Sequence, residues 1–577
     1  MTLTALDWLL LAAASLIPLT VGVLRSRLSG RDLSQFFLAG RELPWWLAGT
    51  SMVATTFAAD TPLAVTALVA AYGIAGNWLW WNAALGSMLA VAFFARLWRR
   101  AGILTDIEFV ELRYTGRAAA TLRGLRAVYL GIPVNCLIIG WVNLAMAKVL
   151  SITLGWDELT AVFVGLAATG IYTTVTGLRG VVIADFIQFV TAIVGASALA
   201  YFVLRAPEVG GISGLMDTLP SSTFRLLPAV GSGNDADPPA ALALPLAAFV
   251  AYLGVQWWAS WYPGQEPGGG GYIAQRMMAT LDERHALFAT LWFTVAHYCL
   301  RPWPWILVAL AALVLYPGIA DPESGYVMAI RDHLPVGWRG FVIGAFFAAY
   351  MSTVSTQLNW GSSYLINDGY KRFVRPNASD AHLVAVSRIV TLLIMTVSAA
   401  VTFMLDSVRQ AWEFMLESGA GIGLVLIMRW YWWRVTAVSE IVAIVASAAG
   451  FLWIRFFTDI QFPQSLLYLV PWTTTCWVVA TFITPPEPMD HLARFYQRVA
   501  PRGPGWRPVA TAQSLPTTET IWPLAVPWLT GCAAVYTGLA GMHALLFKSW
   551  QLGTVLLLSS VGIGLWLVRD LSRVRTD

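Results

Sequence analysis

Charge is what this sequence has least of. Asp, Glu, Lys and Arg make up only 12% of its 577 residues, against 58% hydrophobic ones, whereas soluble domains carry roughly a quarter charged residues. That excludes an ordinary soluble protein. Cysteine is equally sparse, and Cys136, Cys299, Cys476 and Cys532 all lie in apolar runs, which argues against both disulfides and a zinc site. The six histidines are scattered and form no metal-ligand or nucleophile constellation, which weighs against a membrane enzyme acting on lipid-linked substrates. No soluble kinase-like domain follows the last apolar run, which weighs against a sensor. The net charge of +4 follows the topology of the chain, and no nucleic-acid partner is expected.

What the chain has is apolar runs of about 20 residues, repeated along its length, and these set the class: an all-α polytopic membrane protein. About fifteen spans are expected, from 5–24 to 549–568. The run 6–24 is long and lacks a small-residue cleavage site before Arg25, so it reads as a first span rather than a secretory signal. Most of the Lys and Arg fall on one side if the N-terminus is outside and the C-terminus cytoplasmic, and this orientation follows from the positive-inside rule. Residues 485–522 are polar and Pro-rich and read as a cytoplasmic linker.

Two spans are interrupted. In the second, Asp60, Thr61 and Pro62 break an apolar run; in the seventh, Pro263, Gly264, Pro267 and four glycines at 268–271 cannot continue a stable helix. The Lys-Ser/Thr ending of a phosphate-binding loop is absent there. Paired broken helices at matching places in two halves point to an inverted-repeat transporter with its sites near the midplane.

The polar side chains inside spans are few enough to name. Ala349, Ser352, Thr353, Thr356, Asn359 and Ser363 recur at three- and four-residue spacings and so share one helical face. Such a stripe suits close helix packing, and its adjacent hydroxyls at 352 and 353 also suit a hard cation, which takes oxygen ligands. Asp60 is a functional candidate as an intramembrane acid. Asp185, one turn inside its span, is placed to cap the helix end or to pair with Arg179. His297 and Arg301 lie on one face, and Arg301 calls for an anionic partner such as Glu266, Glu417 or an acidic solute. Of Glu413 and Glu417, the latter lies deeper. Trp80, Trp81, Trp257 and Trp261 are candidates for stacking on a polar organic solute.

AAYMSTVSTQLN followed by NDGYKRF, FFLAGRELPWW before the first broken helix, and YIAQR after the second resemble the sodium/solute symporter family over residues 34–435. The resemblance implies a LeuT-type core of five plus five helices, with repeats at about 44–205 and 240–433. It places residues 1–33 before that core and peripheral helices in 436–577 after it. It implies a sodium site made by the backbone carbonyls of Ala54, Phe57 and Ala349 and the hydroxyls of Ser352 and Thr353, with Asp185 nearby. His297 falls where sugar-transporting relatives place a substrate-binding lysine. The expected solute residues are Asp60, Thr61, Trp261, Tyr262, His297, Arg301 and Glu417.

The function expected on these grounds is sodium-coupled import of a polar organic solute, a sugar, sugar acid or related carboxylate, by alternating access in the inner cell membrane. Sodium is the only cofactor expected, with no organic one, and the protein is expected to be a monomer or weak homo-oligomer in the bilayer. Protons in place of sodium remain the alternative, with Asp60 or Asp185 as the carriers.

Overall fold

The computed structural model describes residues 2–25, 33–228, 244–260, 267–517 and 520–573, with the side chains of 25, 174–176 and 573 outside that set. The expected solute residues Trp261 and Tyr262, together with Pro263, Gly264 and Glu266, lie outside the described residues. Regular structure among the described residues is helical, apart from two isolated bridges, Leu43 with Thr280 and Ser260 with Ala420.

In chain order the main helices are α1 (Ala5–Arg25), α2 (Trp45–Thr56), α3 (Asp60–Tyr72), α4 (Ile74–Ala101) and α5 (Gly116–Leu154). Then come α6 (Glu158–Thr173), α7 (Gly177–Leu204), α8 (Leu246–Ala259), α9 (Gly271–Met278) and α10 (Glu283–Leu315). Next are α11 (Pro322–His333), α12 (Trp338–Val374), α13 (Asp380–Thr402), α14 (Val408–Ser418) and α15 (Ile422–Tyr431). The last are α16 (Ala437–Phe457), α17 (Leu466–Ile483), α18 (Met489–Val499), α19 (Trp522–Phe547) and α20 (Trp550–Arg573). Among the described residues, 11 helices are long and apolar enough to cross a membrane, and the bent pair α2–α3 makes 12. The remaining spans expected from the sequence correspond to the shorter apolar helices α6, α8 and α15.

The first break sits where the sequence placed it, and most of the second, at 261–266, lies outside the described residues. Between α2 and α3 the axis turns by 56°, because Phe57 leaves the helical region at φ −94°, ψ 60° and Pro62 cannot donate to the previous turn. Gly177, at φ 59°, turns the chain sharply between α6 and α7, a conformation an L side chain resists. Elsewhere the starts are set by capping side chains. Asp157 accepts from the Thr160 amide at 2.9 Å, and Asp282 from the His285 amide at 2.8 Å, satisfying amides that a helix start leaves open. Two breaks are joined: the Gly421 amide between α14 and α15 donates to the Ala259 carbonyl at 2.9 Å, beside the Ser260–Ala420 bridge.

α12 is the centre of the molecule, with 89% of its apolar window buried, against 11% for the peripheral α20. α1 packs on α12 through Gly340 and Gly344. The Asp7 carboxylate accepts from the Gly337 and Gly340 amides at 2.7 and 3.1 Å, and a Cβ on Gly340 would fall 1.9 Å from the Asp7 carbonyl oxygen. Gly340→Ala is therefore expected to prise α1 away and lower stability by about 1–3 kcal/mol, the usual cost of overpacking. A reduced Tm of the purified protein checks it; an unchanged Tm would mean α1 is free to shift.

Within 485–522, read above as a linker, the stretch from Leu492 to Ala510 packs against the core. α18 lies there, and the Trp506 ring stacks on Phe495 and Tyr496 at 5.2 and 5.7 Å. Its Nε1 donates to the Trp430 carbonyl at 2.7 Å, and the Arg113 guanidinium lies 4.9 Å from its ring. The tryptophan and tyrosine side chains make the difference, since composition counted this segment as polar and Pro-rich.

Candidate functional site

The end of α2 faces the middle of α12, and oxygen atoms from both helices gather there. The Thr353 hydroxyl donates to the Thr55 carbonyl at 2.7 Å and lies 3.3 Å from the Ala349 carbonyl. The Ser352 hydroxyl donates to Asp185 Oδ1 at 2.7 Å. Ala54 and Phe57 stand on the same broken turn, where the Phe57 amide reaches back to the Ala54 carbonyl at 3.0 Å. The broken helix frees carbonyls that an unbroken one would consume. The donor set is entirely oxygen, which fits a hard monovalent cation and not a soft transition metal. Of the expected residues, Ala349, Ser352 and Thr353 are brought against the end of α2, and the structure adds the Thr55 carbonyl.

Asp185 on α7 is fully buried, and its partners differ from the Arg179 pairing considered above. Arg179 pairs with Glu42 at 3.1 Å. Asp185 instead accepts from Ser51 at 2.5 Å and Ser352 at 2.7 Å, with Arg276 Nη2 3.8 Å away. The Arg276 guanidinium, on α9, also donates to Ser51, Gln275 and Thr356 at 3.2, 2.7 and 2.7 Å. Gln275 in turn donates to Asn359 at 3.0 Å. The polar stripe of α12 thus meets α2, α7 and α9 at once, and every charge in it has a hydrogen-bonded neighbour, as buried ions require.

Beside this cluster lies a cavity of about 50 Å³, the room of a few waters. Thr55 and Thr353 belong to both the cluster and the cavity wall, and the rest of the wall includes Asp60, Thr61, Trp80, His297, Arg301 and Trp412. Arg301 donates to Thr56 at 2.9 Å and to His297 Nε2 at 3.2 Å. A guanidinium only donates, so Nε2 accepts and the ring proton sits on Nδ1, which donates to Thr56 at 3.0 Å. Trp80 meets the His297 ring edge-on at 5.6 Å. Trp412 Nε1 donates to Asp60 Oδ2 at 3.1 Å, and Asp60 interacts electrostatically with Arg301.

Of the expected solute residues, Asp60, Thr61, His297 and Arg301 are brought together. Glu417 is not. It does not line the cavity and lies towards Arg455 and Ser465. Trp412 and Leu416 of the same helix line the cavity in its place, and one residue along a helix is a rotation of about 100°. Trp81 packs against Trp78 and Trp303 and Trp257 against Trp528, outside the wall, whereas Trp141, Tyr272 and Gln357 are in it.

Beyond Tyr272, the start of α9 is fastened down. The Gly271 amide donates to Asp106 at 3.2 Å, Tyr364 donates to the other oxygen of the same carboxylate, and Trp98 Nε1 donates to the Gly268 carbonyl at 2.6 Å. Asp368 next to this accepts from Thr105 at 2.6 Å and pairs with Arg123 at 2.7 Å. Partial burial pushes the nearby Glu111 carboxyl up, but its hydrogen bonds to Arg372 and Arg123 outweigh that and hold it below its usual range.

The model of the sodium:solute symporter family matches residues 36–446. The chain belongs to that family. It is accordingly a multi-pass membrane transporter and not an enzyme. The symporter is 25% identical over 470 residues to a sodium/glucose cotransporter of Vibrio parahaemolyticus, covering 77% of this chain and 83% of that one. It is 27% identical to sodium/glucose cotransporter 2 of Rattus norvegicus over 68% of this chain, but spans only 62% of the rat protein's length. Among solved structures it resembles a substrate-bound, outward-open Na+-coupled sialic acid symporter, with a TM-score of 0.66 at 20% identity over 84% of this chain and 99% of that one. That likeness shows a shared fold.

Proposed function

We propose that this symporter imports a polar organic solute, a sugar, sugar acid or related carboxylate, with sodium by alternating access. In this reading the core at 34–435 is an inverted repeat of 44–205 and 240–433, with the N-terminus outside and the C-terminus cytoplasmic. Sodium binds the carbonyls of Ala54, Phe57 and Ala349 and the hydroxyls of Ser352 and Thr353, with Asp185 supplying long-range attraction. The solute binds among Asp60, Thr61, Trp80, His297 and Arg301. The observation that carries the reading is the sharing of Thr55 and Thr353 between oxygen cluster and cavity, so cation and solute order the same turn of α2. The two relatives named for sodium/glucose cotransport support the sugar class.

Uptake of labelled neutral and acidic sugars into proteoliposomes, driven by an inward sodium gradient, tests this directly. Uptake that follows a proton gradient and ignores sodium would overturn it. Within that assay, Arg301→Gln is expected to weaken solute binding about 10- to 100-fold, because it removes charge-assisted hydrogen bonds that hold His297 and Thr56, each about 1.5–3 kcal/mol. Sodium-induced stabilisation should persist. Equal loss of both responses would make Arg301 a general structural residue.

A further inference from the structure

A second, open cavity of about 590 Å³ lies away from the central one. It lies at the end of the α19–α20 hairpin, between that hairpin and the segment that precedes Pro228. The space is held open by real contacts. His543 Nε2 donates to the Phe224 carbonyl at 2.7 Å, and the Phe224 and Phe547 rings meet at 5.4 Å.

Its wall has two chemically distinct parts. Arg225 and Lys548 are exposed cations at the mouth, and no acidic residue lines the space among the described residues. Neither cation forms an ion pair among the described residues. The other part is apolar, with Phe547, Leu552 and Leu556, and it runs on to the outer face of α20, where Val555 and Leu558 are 60% and 66% exposed. At the hairpin turn Trp550 is 67% exposed, the position of an interfacial aromatic anchor. Two cations above an apolar slot match the two ends of a phospholipid, an anionic phosphate that takes charge-assisted hydrogen bonds and an apolar chain.

We infer that this space is a binding site for an anionic phospholipid, its phosphate held by Arg225 and Lys548 and one acyl chain laid along Leu552 and Leu556. A zwitterionic lipid carries its own cation and gains less from the two basic side chains. A soluble phosphate lacks the chain and gains nothing from the apolar slot.

The full-length protein, delipidated in detergent, is the material for the test, with Tm followed on adding phosphatidylglycerol, phosphatidylcholine or inorganic phosphate. Phosphatidylglycerol is expected to raise Tm by several degrees, the other two to have little effect, and Arg225→Gln with Lys548→Gln to remove the increment while leaving the lipid-free Tm unchanged. Native mass spectrometry from nanodiscs of equimolar phosphatidylglycerol and phosphatidylcholine should show one fewer retained phosphatidylglycerol in that variant. Equal effects of the two lipids, an equal effect of phosphate alone, or a full response in the variant would each overturn the site. Should the double variant fail to fold, Leu556→Glu, which blocks the acyl slot and leaves both cations, must lose the same increment.

Discussion

Ser352→Ala combined with Thr353→Val is expected to abolish the stabilisation that sodium gives the purified protein, while leaving the protein folded. Ligand binding stabilises by RT ln(1 + [L]/Kd), about 2.7 kcal/mol at a hundredfold excess over Kd, so the loss is large enough to read as Tm against sodium concentration. A hard cation exchanges its hydration oxygens for protein ones. Removing the two hydroxyls leaves only backbone carbonyls, held by Ala54, Phe57 and Ala349. The competing role, gluing α12 to α2 and α7 through the bonds to Thr55 and Asp185, predicts a different result. Intramembrane hydrogen bonds are worth roughly 0.6–2 kcal/mol each, so Tm would fall at every sodium concentration and its dependence on sodium would survive. An intact sodium dependence would sink the proposed cation site.

Arg276→Gln is expected to have the largest effect on stability. Its side chain is fully buried, as is that of Asp185, and removing one partner of a buried pair strands the other charge at a cost of about 3–5 kcal/mol. Its guanidinium also holds Ser51, Gln275 and Thr356, which the amide reaches only in part. Adding Asp185→Asn should recover much of the loss, because no uncompensated charge is then left. Thermal unfolding of the single and double variants decides the matter, and strictly additive losses would show that the two side chains act independently.

Arg276 also shows where the sequence stops being readable. It stands in the YIAQR exit signature, where a basic residue reads as the cytoplasmic edge of a span. Only the fold shows that α9 returns it to the buried face of α12. Asp185 was legible as a candidate, but its nearest basic neighbour in sequence, Arg179, turned out to serve Glu42. The polar stripe of α12 was legible because it needs only one helix and a three- to four-residue period. The solute wall was legible in part. Asp60, His297 and Arg301 announce themselves as charges in apolar runs, whereas Trp412 looks like any interfacial tryptophan until it is seen bonded to Asp60. Glu417 was favoured on depth. The chain breaks between α14 and α15, at Gly419 to Gly421, and depth along α14 does not tell which side chains turn to the cavity.

That break has a mechanical meaning. Because the Gly421 amide and the Ala259 carbonyl are bonded across it, the loose ends of α8 and of α15 are spliced into one joint. Two separate pivots would let each half-helix swing on its own and let water leak past a half-open gate. A single shared pivot turns two degrees of freedom into one, so any tilt of α15 is geared to the broken end of α8.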